Sequence, residues 1–320
     1  MDAVAKRLNL YRGGALLFVV ALLALWGGLG NSPSPPPATQ TPSSDKLSVV
    51  STTTLVGDVV RQVAGDRADV SVLLPPNVDA HTFEPAPRDL VAVATADVVF
   101  VNGFQLEGPL LTALERVGEH TALTSVSRGI VPRALGKGES GDRTSIDPHV
   151  WLDPNNVIVW VDNIARALSQ VDPEHAPDYR TNAARYDSKL RALDAWIEDQ
   201  VAHISPRDRL LVTNHDAFGY LAQRYGFRLI GSVLPGLSTL AEPSAKNLAT
   251  LIDAIKKLGV KAIFVGTTVN PTLARRLAED TGVTLVSVYT ASLGAPGGPA
   301  ATYLDYMRFD VAAIVGALEP

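Results

Sequence analysis

The stretch PDYRTNAARYDSKLRALDAWIEDQVAHI, residues 177–204, decides the architecture. It contains no glycine and no proline after its first residue, and Tyr179, Ala183, Tyr186, Leu190, Leu193, Ile197, Val201 and Ile204 recur at spacings of three and four. That is the period of one apolar helix face. Turns at Asp172-Pro173 and Ala176-Pro177 precede it and Ser205-Pro206 ends it, because the residue before a proline is driven out of the helical region. At 1.5 Å per residue the helix is expected to be roughly 40 Å long, enough to run the length of a small two-domain molecule.

Strand-like and helix-like segments alternate on both sides of this helix. Upstream, strands are expected at 47–51, 70–74 and 98–101, with helices at 55–64, 89–95, 110–117 and 157–168. Downstream, strands are expected at 209–212, 228–233, 261–265 and 284–289, with helices at 218–225, 244–258, 272–280 and 303–318. Such alternation predicts mainly parallel sheets flanked by helices. The expected fold class is therefore α/β in two lobes, an N-terminal lobe at 46–170 and a C-terminal lobe at 206–320, joined by one long linking helix at 171–205.

The 320 residues, 46% of them hydrophobic, can fill two cores. A net charge of −5 and the absence of a basic run argue against nucleic acid as a partner. There is no cysteine, which excludes disulfides, thiolate metal sites and a thiol nucleophile. Any metal must then be held by imidazole and carboxylate, donors that suit zinc, manganese or iron better than copper(I).

Lys6, Arg7 and Arg12 precede the apolar run GGALLFVVALLALWGGL at 13–29. Residues 1–30 therefore read as a signal peptide or an N-terminal membrane anchor. Residues 31–45, NSPSPPPATQTPSSD, read as a disordered Pro/Ser-rich tether. Both readings put the folded body outside the cytoplasm, in the periplasm or on the outer face of the membrane.

Of the six histidines, His120, His175 and His203 lie in polar, helical or helix-end surroundings and read as exposed. His81 (in DAHTFEP), His149 (in DPHVWLDP) and His215 (in TNHDAFGY) instead stand where strands give way to turns or helices, the edge at which open α/β sheets bind ligands. His81 and His149 each follow an aspartate by two residues. That spacing forms turns and can supply a carboxylate to orient an imidazole. His81 and His149 belong to the first lobe and His215 to the second, so three imidazoles converging between the lobes would make a site for a divalent ion, zinc first.

The segments LLPPNVDAHTFEPAPRDL, ADVVFVNGFQLE, DPHVWLDPNN, TNHDAFGYLAQRYG, LAEPSAKNLATLI and GPAATYLDYMRFD follow one another from residue 73 to residue 310. In sequence and order they resemble the metal-binding solute receptors of ABC importers, the zinc and manganese receptor family called cluster A-I. The resemblance implies two α/β lobes bridged by one rigid helix, with the metal held in the cleft between them. It carries the metal-ligand role onto His81, His149 and His215, with Zn2+ as the bound substrate, Mn2+ as the alternative and an ABC permease as the partner of a monomeric receptor. A histidine at 215, where some members have glutamate, resembles the zinc-preferring members.

Two positions depart from the family's pattern. The segment that usually reads Tyr-Thr-Asp-Ser-Leu is here Tyr289-Thr290-Ala291-Ser292-Leu293, so the fourth, carboxylate ligand is missing. Gly266 stands where glutamate often follows the Ile-Phe-Val strand. Asp216 and Asp305 are the candidate replacements, and neither is assigned. The family's lipid-bearing cysteine is absent, as is the histidine-rich loop of some zinc receptors.

The chain is read as a receptor and not as an enzyme. A hydrolytic zinc enzyme would use three histidines and an open position, but no G-x-S-x-G or H-E-x-x-H accompanies them. A degenerate receptor serving as an adhesin would explain Ala291 and Gly266. Trp151, Trp160 and Trp196 read as packing residues, Ser244 as a helix cap, and Gly297-Gly298-Pro299 as a loop before the last helix.

Overall fold

The computed structural model describes residues 46–117, 122–135, 145–234, 236, 239 and 242–319. The expected export segment at 1–30, the tether at 31–45 and His120 lie outside the described residues. Among those described, no helix is long and apolar enough to cross a membrane.

The first lobe is built from β1 (Leu47–Ser51), α1 (Thr54–Ala64), β2 (Ala68–Val72), α2 (Pro87–Thr95), β3 (Val98–Val101), α3 (Gly108–Val117), β4 (Ala122–Ser125) and α4 (Pro154–Val171). The linking helix α5 spans Ala176–Ala202. The second lobe contains β5 (Leu210–His215), α6 (Gly219–Tyr225), β6 (Arg228–Leu234), α7 (Ala245–Leu258), β7 (Ala262–Gly266), α8 (Thr272–Thr281), β8 (Thr284–Val288) and α9 (Tyr303–Leu318). Each lobe carries one four-stranded, wholly parallel sheet, ordered β2-β1-β3-β4 in the first and β6-β5-β7-β8 in the second. Parallel sheets must be covered on both faces, and β3, β5 and β7 are buried along their whole length.

Several elements begin earlier than the sequence pattern suggests, and proline is the reason. α2 opens on Pro87 and α4 on Pro154, the latter capped by the Asp153 carboxylate, which accepts from the Asn155 amide at 2.9 Å. A proline in the first turn sacrifices no intrahelical bond. β2 occupies 68–72 rather than 70–74. Leu73 and Leu74 still donate to the carbonyls of Ser51 and Thr52, continuing the pairing past the ladder. β4 was not anticipated, since Ala122-Leu123-Thr124-Ser125 has too few apolar residues to announce a strand.

Seven of the eight expected apolar positions lie in α5 and are buried, and the eighth, Ile204, is buried just past the helix, which ends at Ala202. It packs on α1 and α4 of the first lobe and on α9 of the second, and one hydrophobic core runs through all four helices. A smaller core of Leu210, Val212, Leu251, Ile255, Ile263 and Leu277 fills the far side of the second sheet. Trp151 and Trp160 are fully buried, while Trp196 packs at the edge of the main core. Ser244 caps α7, accepting from the Asn247 amide at 3.2 Å.

Candidate metal centre

In both sheets the strand order reverses beside the first strand, and the crevice at the carboxyl ends of such strands is where open α/β sheets take ligands. His215 is the last residue of β5, at that edge of the second sheet. His81 lies on the loop after β2, which turns at Pro75-Pro76-Asn77 with Asn77 in the left-handed region (φ 63°). The Asp79 carboxylate accepts from the His81 backbone amide at 3.0 Å. His149 does not directly follow a strand as expected. β4 ends at Ser125, and an isolated bridge between Ala134 and Ile146 intervenes. His149 precedes a single 3-10 turn, Val150–Leu152, that points its ring inward.

The structure brings these residues together. One ring nitrogen from each of His81, His149 and His215 lies within 4.8 Å of the other two. Nε2 of His81 is 3.2 Å from Nε2 of His149. A tetrahedral ion with metal–nitrogen bonds of about 2.0–2.1 Å holds its ligands roughly 3.3 Å apart, so one pair already has the spacing and the third needs a shift of about 1.5 Å or less. The rings lie at 57°, 65° and 82° to one another with centroids 5.2–6.2 Å apart, edges meeting rather than faces stacking.

Hydrogen bonds fix the tautomers. Nδ1 of the buried His149 donates to Asp147 Oδ1 at 2.8 Å, and the same oxygen accepts from the His149 backbone amide at 3.0 Å. The other carboxylate oxygen of Asp147 accepts from Arg133 Nη1 at 3.1 Å. His215 Nδ1 donates to Asn214 Oδ1 at 3.2 Å, and Asn214 Oδ1 also accepts from the Gly266 amide at 3.2 Å. The Nε2 lone pairs of His149 and His215 are thereby left for the centre, and His215 Nε2 is buried without a hydrogen-bond partner. Burial, reinforced by the neighbouring His149, pushes the His81 imidazole down to about 4. Burial and the two other imidazoles push His215 well below the usual histidine range. Both rings are therefore neutral near pH 7, the form that ligates metal.

The lobes meet directly around this cluster. Trp151 lies against the His149 ring, with centroids 5.3 Å apart, and its indole N–H donates to Thr290 O at 2.9 Å across the cleft. The Tyr220 hydroxyl accepts from the Arg133 amide at 2.9 Å and donates to Asp147 O at 3.2 Å. A Cβ on Gly219 would fall 2.2 Å from Arg133 Nη1, so only glycine lets this pair rest on the start of α6. Asp79 takes a hydrogen bond from Thr239 of the second lobe.

No aspartate or glutamate oxygen among the described residues joins the three nitrogens. Asp216 accepts from the Gly236 amide at 3.0 Å, and Asp305 accepts from the Thr302 hydroxyl at 2.6 Å at the start of α9. Neither fills the fourth position. Ala291 is 3% exposed. A Cβ on Gly266 would lie 2.3 Å from Thr290 Oγ1, so the threonine occupies the space a glutamate there would need.

Of the remaining histidines, His203 is exposed as expected, but His175 is half-buried with Nδ1 2.8 Å from Asp172. Sequence reasoning missed Arg133, Asn214, Gly219 and Tyr220. Asn214, Gly219 and Tyr220 stand in the same motif as His215, whereas Arg133 carries no local signal.

A family model described as ZnuA, zinc-uptake complex component A periplasmic, matches residues 49–317. The manganese-binding lipoprotein MntA of Halalkalibacterium halodurans is 33% identical over 307 residues, covering 95% of this chain and 97% of its own. The iron-binding protein YfeA of Yersinia pestis is 30% identical over 309 residues, covering 96% of each chain. The solved periplasmic zinc binding protein TroA from Treponema pallidum superposes with a TM-score of 0.80 at 26% identity, over 86% of this chain and all of its own. The Mn-bound periplasmic metal binding protein of Candidatus Liberibacter asiaticus does so with a TM-score of 0.76 at 28% identity, over 84% and 98%. These relatives are binding proteins and not enzymes, and they are named for different metals. The α/β lobes, the linking helix and the match over most of the chain place it in the family of metal-binding solute-binding proteins of ABC importers.

Proposed function

We propose that this chain is an exported receptor that captures Zn2+, with Mn2+ as the weaker alternative, and delivers it to an ABC permease in the cytoplasmic membrane. His81, His149 and His215 are the ligands. The observation that carries this reading is the convergence of three imidazole nitrogens, one of them buried without a partner. Zinc is favoured over manganese because the donors are neutral nitrogens, whereas manganese is better served by carboxylate and carbonyl oxygen. Residues 46–170 and 206–320 act as the two lobes, and the helix within 171–205 limits how far they separate. Release then requires the permease to disturb the centre. The apolar segment at 13–29 exports the protein or anchors it, and residues 31–45 tether the folded body.

Calorimetric titration of metal-stripped protein is expected to show one zinc per chain, with manganese bound more weakly. His215→Ala should lose most of that affinity, and zinc binding equal to the parent's would refute the assignment. The degenerate-receptor reading, favoured by Ala291, is separated by Ala291→Asp. Binding that tightens from a measurable baseline indicates a working receptor, whereas binding seen only after the change indicates a lost one.

A further inference from the structure

We infer, on the three-histidine reading above, that the second lobe positions His81 for the ion through the Ser292 and Thr239 hydroxyls, although His81 belongs to the first lobe by sequence. Ser292 and Thr239 are then positioning residues rather than ligands. The loop that carries His81 leaves its own sheet early. Leu73 and Leu74 still donate to the Ser51 and Thr52 carbonyls, at 2.9 and 3.0 Å. Pro75 and Pro76 follow and have no N–H to give. The next amide, that of Asn77, donates to Ser292 Oγ of the second lobe at 2.9 Å, from a residue held in the left-handed region. Two residues on, the Asp79 carboxylate divides its oxygens, Oδ1 accepting from the His81 amide at 3.0 Å and Oδ2 from the Thr239 hydroxyl. Val78 and Thr82 donate only within the loop. Apart from the contact between the His81 and His149 rings, every hydrogen bond that leaves residues 75–82 among the described residues therefore ends on the second lobe.

Ser292 is built to hold that amide. It is buried, and its hydroxyl donates to Leu293 O at 3.0 Å, which fixes the oxygen and leaves a lone pair for Asn77. The Leu293 amide returns to the first lobe at Thr54 Oγ1, 2.8 Å away, so the 292–293 peptide is itself held in place. Packing does not substitute for these bonds at the root of the loop, where a cavity of about 520 Å³ is lined by Leu74, Pro75 and Pro76 on one side and by Leu293, Gly294 and Pro296 on the other. Ala80 sinks into the main core. A methyl group there sets the depth of the loop, and the two hydrogen bonds set its direction. A ligand ordered in advance costs less to immobilise when the ion binds. The hydroxyls of the second lobe therefore strengthen the hold of a first-lobe histidine on the metal.

The test follows the metal in the full chain. Zinc release to excess chelator is timed by stopped flow, and Co2+-loaded protein is followed by NMR, where each ligating imidazole gives its own strongly shifted signals and those of His81 are the set that disappears in His81→Gln. Ser292→Ala removes the acceptor for Asn77. It is expected to speed zinc release by about two- to tenfold, the worth of one neutral hydrogen bond, and to move the His81 signals while those of His149 and His215 stay in place. Thr239→Val, at a half-buried position, should act in the same direction more weakly, and it decides on the same terms if Ser292→Ala does not fold. Unchanged release with unmoved His81 signals would overturn the inference and leave the zinc receptor standing. Equal displacement of all three rings would overturn it as well, because that marks a general loosening of the cleft. A cobalt form with no His81 ring among its ligands would overturn it together with the three-histidine reading.

Discussion

Asp79 and Asp147 look alike in the sequence, each two residues before a histidine, yet they do different work. Asp147 contacts both the backbone and the ring of His149, whereas Asp79 contacts only the backbone of His81 and spends its other oxygen on Thr239. A carboxylate behind a metal-ligating imidazole orients the ring and raises its basicity, and removing one typically costs 10–100-fold in metal affinity. Asp147→Asn is therefore expected to weaken zinc binding by about 10–100-fold in competition with a chromophoric chelator, while Asp79→Asn changes it far less. Similar losses from both would show that the ring contact is unimportant. The pairing of aspartate with histidine could be read in advance, but the difference could not. It depends on the 3-10 turn at Val150–Leu152 and on Arg133, which arrives from a separate loop.

Among the elements, α5 was the most legible, because twenty-seven residues of uninterrupted periodicity leave little freedom in assigning it. Its buried face touches helices of both lobes. Leu190 is fully buried on that face, and Leu190→Ala is expected to cost about 2–5 kcal/mol. Urea unfolding monitored by circular dichroism measures that loss, and a change below 1 kcal/mol would mean that the stripe bears little of the stability. Short edge elements were less legible. β4 is four residues long, with threonine and serine at its end, and its existence is decided by backbone pairing to β3 rather than by its own pattern. The starts of α2 and α4 were placed two and three residues late, because the apolar pattern begins only after the proline that forms the first turn of each.

For the whole molecule, His81 and His215 link folding to acidity. The folded His81 has its ordinary value lowered from 6.5 to about 4 by burial and by His149, and His215 is lowered in the same direction. Between about pH 6.5 and pH 4 the unfolded chain therefore binds protons that the folded chain refuses, so stability falls as pH drops through that window. Thermal melts of metal-free protein are expected to show Tm declining from about pH 7 to about pH 4.5. Replacing His81 and His215 with glutamine should flatten the decline, and an unchanged slope would place its origin elsewhere. The convergence that creates this linkage was not visible in spacing, since more than sixty residues separate successive histidines of the cluster. Only the order of long motifs along the chain pointed to it, and the packing of helices from both lobes against α5 makes it physical.

The packing of Thr290 against Gly266 also bears on how this receptor could evolve. A single mutation introducing glutamate at 266 would collide with a neighbour already in place, so that path to an oxygen-rich, manganese-type pocket needs two simultaneous substitutions. Position 291 offers a one-codon route instead. Descendants under selection for a different cargo should therefore be found altered there first, and at 266 only where the threonine has also been exchanged.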